Sequence, residues 1–188
     1  MPIVREFLPD VCYHIYNRGA NKSEIFKDNK DYGIFIKRLR HYSLKYNVTI
    51  LCYCLMPNHF HFILKQLSEN RISDMMRYLM NGYTNIFNSR YNRSGTILQG
   101  PFRSESIDSE NYFIHLSRYI HLNPLVAGIV DSLEDWQWSS CLDYVGLRDG
   151  TLCDKKEIMS DFKYPNEYRE FLENDIERMF AVKNLEME

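Results

Sequence analysis

The chain has 188 residues, 45% of them apolar and 26% charged, which fits a globular domain with a substantial core. No stretch approaches the ~18 uncharged apolar residues of a membrane span, and residues 1–10 lack a signal peptide's apolar run, so a cytoplasmic protein is expected. The net charge of −2 excludes a uniformly basic nucleic-acid binder, but residues 1–124 carry 16 Lys and Arg against 10 Asp and Glu, while residues 125–188 carry 7 against 15. A basic body with an acidic end fits a polyanionic substrate held by the first part.

Residues 12–18 read as a strand that ends at Gly19, with His14, Tyr16 and Arg18 on one face. Residues 19–23 form a loop. From about Asn29 to Tyr46 the apolar positions Tyr32, Phe35, Ile36, Leu39 and Tyr42 recur at helical spacing, with Asp28 as N-cap. Val48 to Leu55 is β-branched and apolar, hence a strand. Its Cys52 and Cys54 share a face. With five cysteines and no CxxC pair, reduced and mostly buried thiols are expected.

Met56-Pro57-Asn58 turns the chain into a further strand, residues 59–64. Here His59, His61 and Ile63 share one face, and Phe60, Phe62 and Leu64 share the other. A second helix follows over about 72–91, with a Met-rich apolar stripe of the kind that packs in a core. A fourth strand covers roughly 100–107. A third helix runs over 110–122 behind the N-cap Ser109, and Asn123-Pro124 ends or kinks it. Residues 141–164 look irregular. A final amphipathic helix spans about 166–180.

The order β-α-β-β-α-β predicts an α+β, ferredoxin-like sandwich with additional C-terminal helices. Its first and third strands are central, and both crossover helices lie on one face. Phe60, Phe62 and Leu64 then pack under those helices, which leaves His59 and His61 on the open face for the 110–122 helix to cover. Residues 1–128 form the domain with this helix, and residues 129–188 form an acidic extension.

Two imidazoles two residues apart on a strand can bind one metal ion. Tyr119 and Asn123 lie one turn apart on the third helix, on nearly the same side. Asn123 offers an amide oxygen as a third neutral ligand, so an Mg²⁺ or Mn²⁺ ion there keeps its full charge for a phosphodiester. The Tyr119 phenol can attack phosphorus as a nucleophile. Tyr112 shares the helix face and competes for that role; His115, four before Tyr119, is a candidate proton acceptor, but a helix-surface histidine is the expected reading. Arg18 and Arg103 are candidates for phosphate contacts. Packing is the expected role for His14, Trp136 and Trp138.

These segments resemble a known family. Met56-Pro-Asn-His-Phe-His61 is an HUH motif, a hydrophobic residue between two histidines. It occurs with Tyr13-His-Ile-Tyr-Asn-Arg-Gly19, Gln99-Gly-Pro-Phe-Arg103, Arg118-Tyr-Ile-His-Leu-Asn-Pro124 and Trp136-Gln-Trp-Ser-Ser140. Together they resemble the REP-associated tyrosine transposases, in the single-tyrosine branch of the HUH endonucleases. The resemblance covers roughly residues 10–140. It implies metal-dependent cleavage and rejoining of single-stranded DNA, with the 5′ end on the tyrosine and a free 3′-OH. It also implies a hairpin-forming repeat as substrate, His59, His61 and Asn123 as metal ligands, and Tyr119 as nucleophile. The slightly acidic net charge and the unmatched residues past about 145 depart from the family. A monomer is favoured over a homodimer. Two other readings stay open. One is a non-catalytic regulator that binds hairpin DNA or RNA on this fold. The other is a small-phosphoester hydrolase, which is disfavoured because no Asp or Glu sits beside the histidine pair in sequence.

Overall fold

The computed structural model describes residues 6–69, 71–174 and 176. In chain order the elements are β1 (Cys12–Arg18), α1 (Asn29–Lys45), β2 (Val48–Met56), β3 (His59–Gln66), α2 (Arg71–Arg90), β4 (Arg103–Ser106) and α3 (Glu110–Val126). The short helices α4 (Cys141–Tyr144) and α5 (Lys156–Met159) follow, then α6 (Pro165–Glu173). The sheet has the order β2-β3-β1-β4 with every pairing antiparallel. This is the expected ferredoxin-like arrangement, with β1 and β3 in the centre.

The alternation of β3 divides the molecule into two cores. Phe60, Phe62 and Leu64 pack with Ile15 of β1, with Tyr32, Phe35 and Leu39 of α1, and with Met75, Met76, Leu79, Tyr83 and Phe87 of α2. Each fully buried Phe or Leu contributes about 1.5–3 kcal/mol relative to exposure, so this one face fixes which way β3 points. Asp28 caps α1 by accepting from the Asp31 backbone N–H. Arg90 at the end of α2 pairs with both Asp28 and Asp31, which ties the two helices together.

The other core lies across the sheet. A one-residue bulge between Ile50 and Cys52 changes the parity of β2. Val48 and Ile50 face the α1–α2 side before it, and Tyr53 and Leu55 do so after it, while Leu51, Cys52, Cys54 and Met56 face away. The second group packs with Ile63 of β3, with Ile114, Leu116, Ile120 and Leu122 of α3, and with Tyr144, Ile158, Tyr168 and Leu172 further on. Residues on both sides of position 128 thus share one cluster. The edge of β2 is also covered: Leu55 N–H donates to the Trp138 carbonyl and Ser140 N–H to the Tyr53 carbonyl, both at 2.9 Å.

Several boundaries differ from the sequence reading. β4 starts at Arg103 rather than near 100, because Pro101 has no N–H to give the ladder and Gly100 has a φ of +154°. α3 runs through Pro124 to Val126. Proline falls in the last turn, where its missing N–H leaves only the Ile120 carbonyl without its helical donor. The helix then closes with Ala127 N–H on the Asn123 carbonyl and with Gly128 at a φ of +70°. The 141–164 segment contains α4 and α5. Of the expected 166–180 helix, α6 covers Pro165–Glu173 and Ile176 is again helical, while residues 175 and 177–180 lie outside the described residues. Cys52, Cys54 and Cys141 are buried and unpaired. No helix among the described residues is long and apolar enough to cross a membrane.

Candidate functional site

The loop after β1 positions the histidines. Gly19 N–H donates to the Asn58 carbonyl at 2.7 Å, and the N–H groups of Ile25 and Phe26 donate to the Pro57 carbonyl at 2.8 and 3.0 Å. A side chain at Gly19 would collide with the Ser23 carbonyl. The Asn58 amide nitrogen donates to the Lys22 carbonyl at 3.0 Å, which leaves its Oδ1 to accept from Nδ1 of His59 at 2.6 Å. With Nδ1 carrying the proton, Nε2 of His59 is bare.

His61 is 7% exposed and its Nδ1 lies 3.0 Å from Nε2 of His14. Burial holds all three imidazoles neutral. It pushes His14 down to about 4 against the pull of Glu105, and His59 to about 4 with help from the Arg18 charge. His61 is driven well below its ordinary value by burial, with His59 and His14 adding to the effect. Neutral imidazoles keep the lone pair that a metal needs.

α3 supplies the other half of the site. The Tyr119 ring meets His61 edge-on at 5.7 Å between centroids and is 42% exposed, so a phenol open to solvent stands beside the buried histidine. One turn further, the Asn123 amide has a buried end, Nδ2, with no hydrogen-bond partner. The nitrogen and oxygen of an amide exchange places by a flip, so this end is an unfilled bonding position. No cluster of three or more His, Cys, Asp or Glu side chains arranged to hold a metal occurs among the described residues. A divalent ion here would have to draw on the two imidazoles and the Asn123 amide. That donor set fits, because both histidines are neutral and the amide has a free buried position.

The remaining candidates divide into those near this centre and those away from it. Arg18 is the register partner of His59 and Arg103 that of Tyr16, and both are exposed beside the site. Tyr112 is 43% exposed, and burial together with the Glu105 charge raises its pKa. His115 takes a hydrogen bond from Arg118 and packs near Phe171. His121 is buried between the Tyr168 hydroxyl at 2.7 Å and the Ser140 hydroxyl at 2.8 Å. Trp138 stacks on Tyr32, and Trp136 donates to the Leu55 carbonyl.

Residues 8–123 match the protein-family model described as transposase IS200 like. The chain belongs to the IS200-like transposase family. Among solved structures it is similar to a REP-associated tyrosine transposase bound to a REP hairpin, at 17% identity and a TM-score of 0.64, over 82% of this chain and 97% of that one. A protein described as a transposase from Deinococcus radiodurans R1 matches at 17% identity and a TM-score of 0.45, over 64% of this chain and 95% of that one. Comparison with curated proteins gave no significant match.

In this IS200-like transposase, the matched span takes in β1, both histidines, Tyr119 and Asn123. Sequence reasoning missed two neighbours of that group. Glu105 is the register partner of His14 and accepts the Tyr16 hydroxyl at 2.8 Å, so an acid stands on β4, across β1 from the histidine pair. His14 bonds to His61 rather than merely packing. The alternation of β1 and β4 carried the signal: His14 and Tyr16 share a face, as do Arg103 and Glu105, and only the strand register joins them.

Proposed function

We propose that this transposase is a single-stranded DNA endonuclease and strand transferase that acts through a 5′-phosphotyrosine on Tyr119. The observation that carries this is the pairing of an exposed phenol with a buried, neutral histidine across the α3–β3 interface. Nε2 of His59, His61 and the Asn123 amide hold a divalent ion, Mg²⁺ or Mn²⁺. When bound, that ion polarises the phosphodiester as a Lewis acid. Tyr119 Oη bonds to phosphorus, the bond to O3′ breaks, and O3′ departs as a hydroxyl. Attack by a second 3′-OH on the phosphotyrosine reverses these bonds and joins a new strand. Arg18 and Arg103 hold the flanking phosphates by charge-assisted hydrogen bonds.

Hairpin-forming repeat DNA is the proposed substrate, supported by the hairpin held by the similar REP-associated protein. The catalytic unit is residues 1–128 of one chain, acting as a monomer in the cytoplasm, with residues 129–188 as its extension. The test is incubation with end-labelled hairpin oligonucleotides and Mn²⁺, followed by denaturing gel electrophoresis. A DNA-protein adduct is expected that chelator prevents. Tight hairpin binding with no adduct would overturn this reading in favour of a non-catalytic regulator.

A further inference from the structure

His14 of β1 is 6% exposed, and the chemistry above gives it no task. Its Nε2 lies 3.0 Å from Nδ1 of His61. Two imidazole nitrogens this close are either two ligands wrapped on one ion or the two ends of one hydrogen bond. The ring planes lie within 18° of each other, with centres 5.2 Å apart. That separation is nearly the largest that a 3.0 Å contact between two imidazoles permits, so both nitrogens sit close to the line joining the ring centres. Rings wrapped on a common ion would bring their centres nearer. The contact is therefore an in-plane N–H···N hydrogen bond. Tyr16 lies nearly parallel to both rings, at 4.7 Å from His14 and 5.6 Å from His61, and limits their rotation.

The direction of that bond decides what His61 can do. A neutral imidazole has one N–H and one bare nitrogen. With Nδ1 of His61 facing His14, Nε2 is the nitrogen left for an ion. Nε2 is bare only when Nδ1 carries the proton and donates it to Nε2 of His14. His14 then keeps its own proton on Nδ1, the buried atom with no partner. Asn58 imposes the same pattern on His59.

We propose that His14 is a positioning residue: by accepting from Nδ1 of His61 it holds that histidine with Nε2 bare for a divalent ion. This rests on the reading of His59 and His61 as metal ligands. Outer partners of this kind typically govern 10–100-fold in metal affinity.

Two substitutions separate the acceptor from the shape. H14Q keeps an acceptor near the place of Nε2, and H14L does not. Long-range ¹H–¹⁵N correlation spectra of metal-free, histidine-labelled protein report which nitrogen of His61 holds the proton. Nδ1–H is expected in the unaltered protein and in H14Q, and its loss in H14L. Mn²⁺ titrations without DNA, followed by electron paramagnetic resonance, should show affinity about 10–100-fold lower in H14L and retained in H14Q. A folded H14L protein that keeps Nδ1–H on His61 and binds Mn²⁺ like the unaltered protein overturns the proposal. So does a proton on Nε2 of His61 in the unaltered protein. If H14L does not fold, the spectra of the unaltered protein and H14Q decide. If the unaltered protein binds no Mn²⁺ but the proton pattern holds, the metal reading fails and the His14 bond stands.

Discussion

Asn58 holds His59 from the side away from the site, with its Oδ1 on the His59 Nδ1–H at 2.6 Å and its amide nitrogen on the Lys22 carbonyl at 3.0 Å. One side chain thus anchors the β2–β3 turn to the loop after β1 and chooses the protonated nitrogen of His59. Replacing Asn58 by Leu removes both bonds while keeping similar bulk. The expected outcome is a fall of about 10–100-fold in Mn²⁺ affinity, measured by titration of the metal-free protein. Unchanged affinity would show that His59 needs no outer partner.

Tyr119 and Tyr112 are both open to solvent on the same helix, at 42% and 43% exposure. Their chemistry separates them. Tyr119 touches His61, whereas burial and Glu105 make Tyr112 harder to ionise. Tyr119→Phe should abolish the covalent DNA adduct on a denaturing gel, and Tyr112→Phe should retain it. Both variants should unfold within about 0.5 kcal/mol of the unaltered protein, as expected for exposed positions. An adduct that survives Tyr119→Phe and vanishes in Tyr112→Phe would reassign the nucleophile.

Much of this centre is legible in the sequence because it follows from short periods. Period two on residues 59–64 separates the histidines from the phenylalanines, and an interval of four aligns Tyr119 with Asn123. The bulge in β2 is not legible. Residues 48–56 are apolar on both faces, so nothing in the run marks where parity changes. The His14–His61 bond and the place of Glu105 depend on strand register across 47 and 91 positions of sequence, which no local pattern encodes. Pro124 misleads for a different reason. The rule against proline concerns helix interiors, and here it stands in a last turn whose apolar neighbours Ile120 and Leu122 are fully buried.

Acid should weaken the link between α1 and α2. The Arg90 guanidinium beside Asp28 holds its carboxyl at about 2, below the ordinary 3.8. Between those values the unfolded chain binds more protons than the folded one. The contribution is therefore complete above about pH 4 and is lost as the pH falls to about 2. Asp28→Asn keeps a capping acceptor but not the charge. Its urea midpoint should lie below that of the unaltered protein at pH 6, and the gap should close near pH 2. A gap independent of pH would remove the ion pair as its cause.

Tyr168 of α6 reaches into the second core, where its hydroxyl meets His121 Nδ1 at 2.7 Å and Ser117 Oγ at 3.0 Å. Tyr168→Phe strands the His121 nitrogen in a buried place, which should cost about 1–3 kcal/mol in chemical unfolding. Adduct formation at 25 °C should persist, since His121 points away from Tyr119. Loss of the adduct in a fully folded variant would tie α6 to the chemistry.

The phenol of Tyr119 and the imidazole of His61 meet only because a helix late in the chain lies across a strand formed much earlier, with α2 and β4 in between. A fragment must run from β3 through α3 to contain both. On the proposed chemistry, the power to break DNA is an emergent property of the finished tertiary structure. A nascent chain that ends before α3, a piece cut between β3 and α3, or a molecule with α3 detached does not bring Tyr119 onto the histidines. The division of the site between sheet and helix works as a built-in safety interlock, arming the protein only when folding is complete.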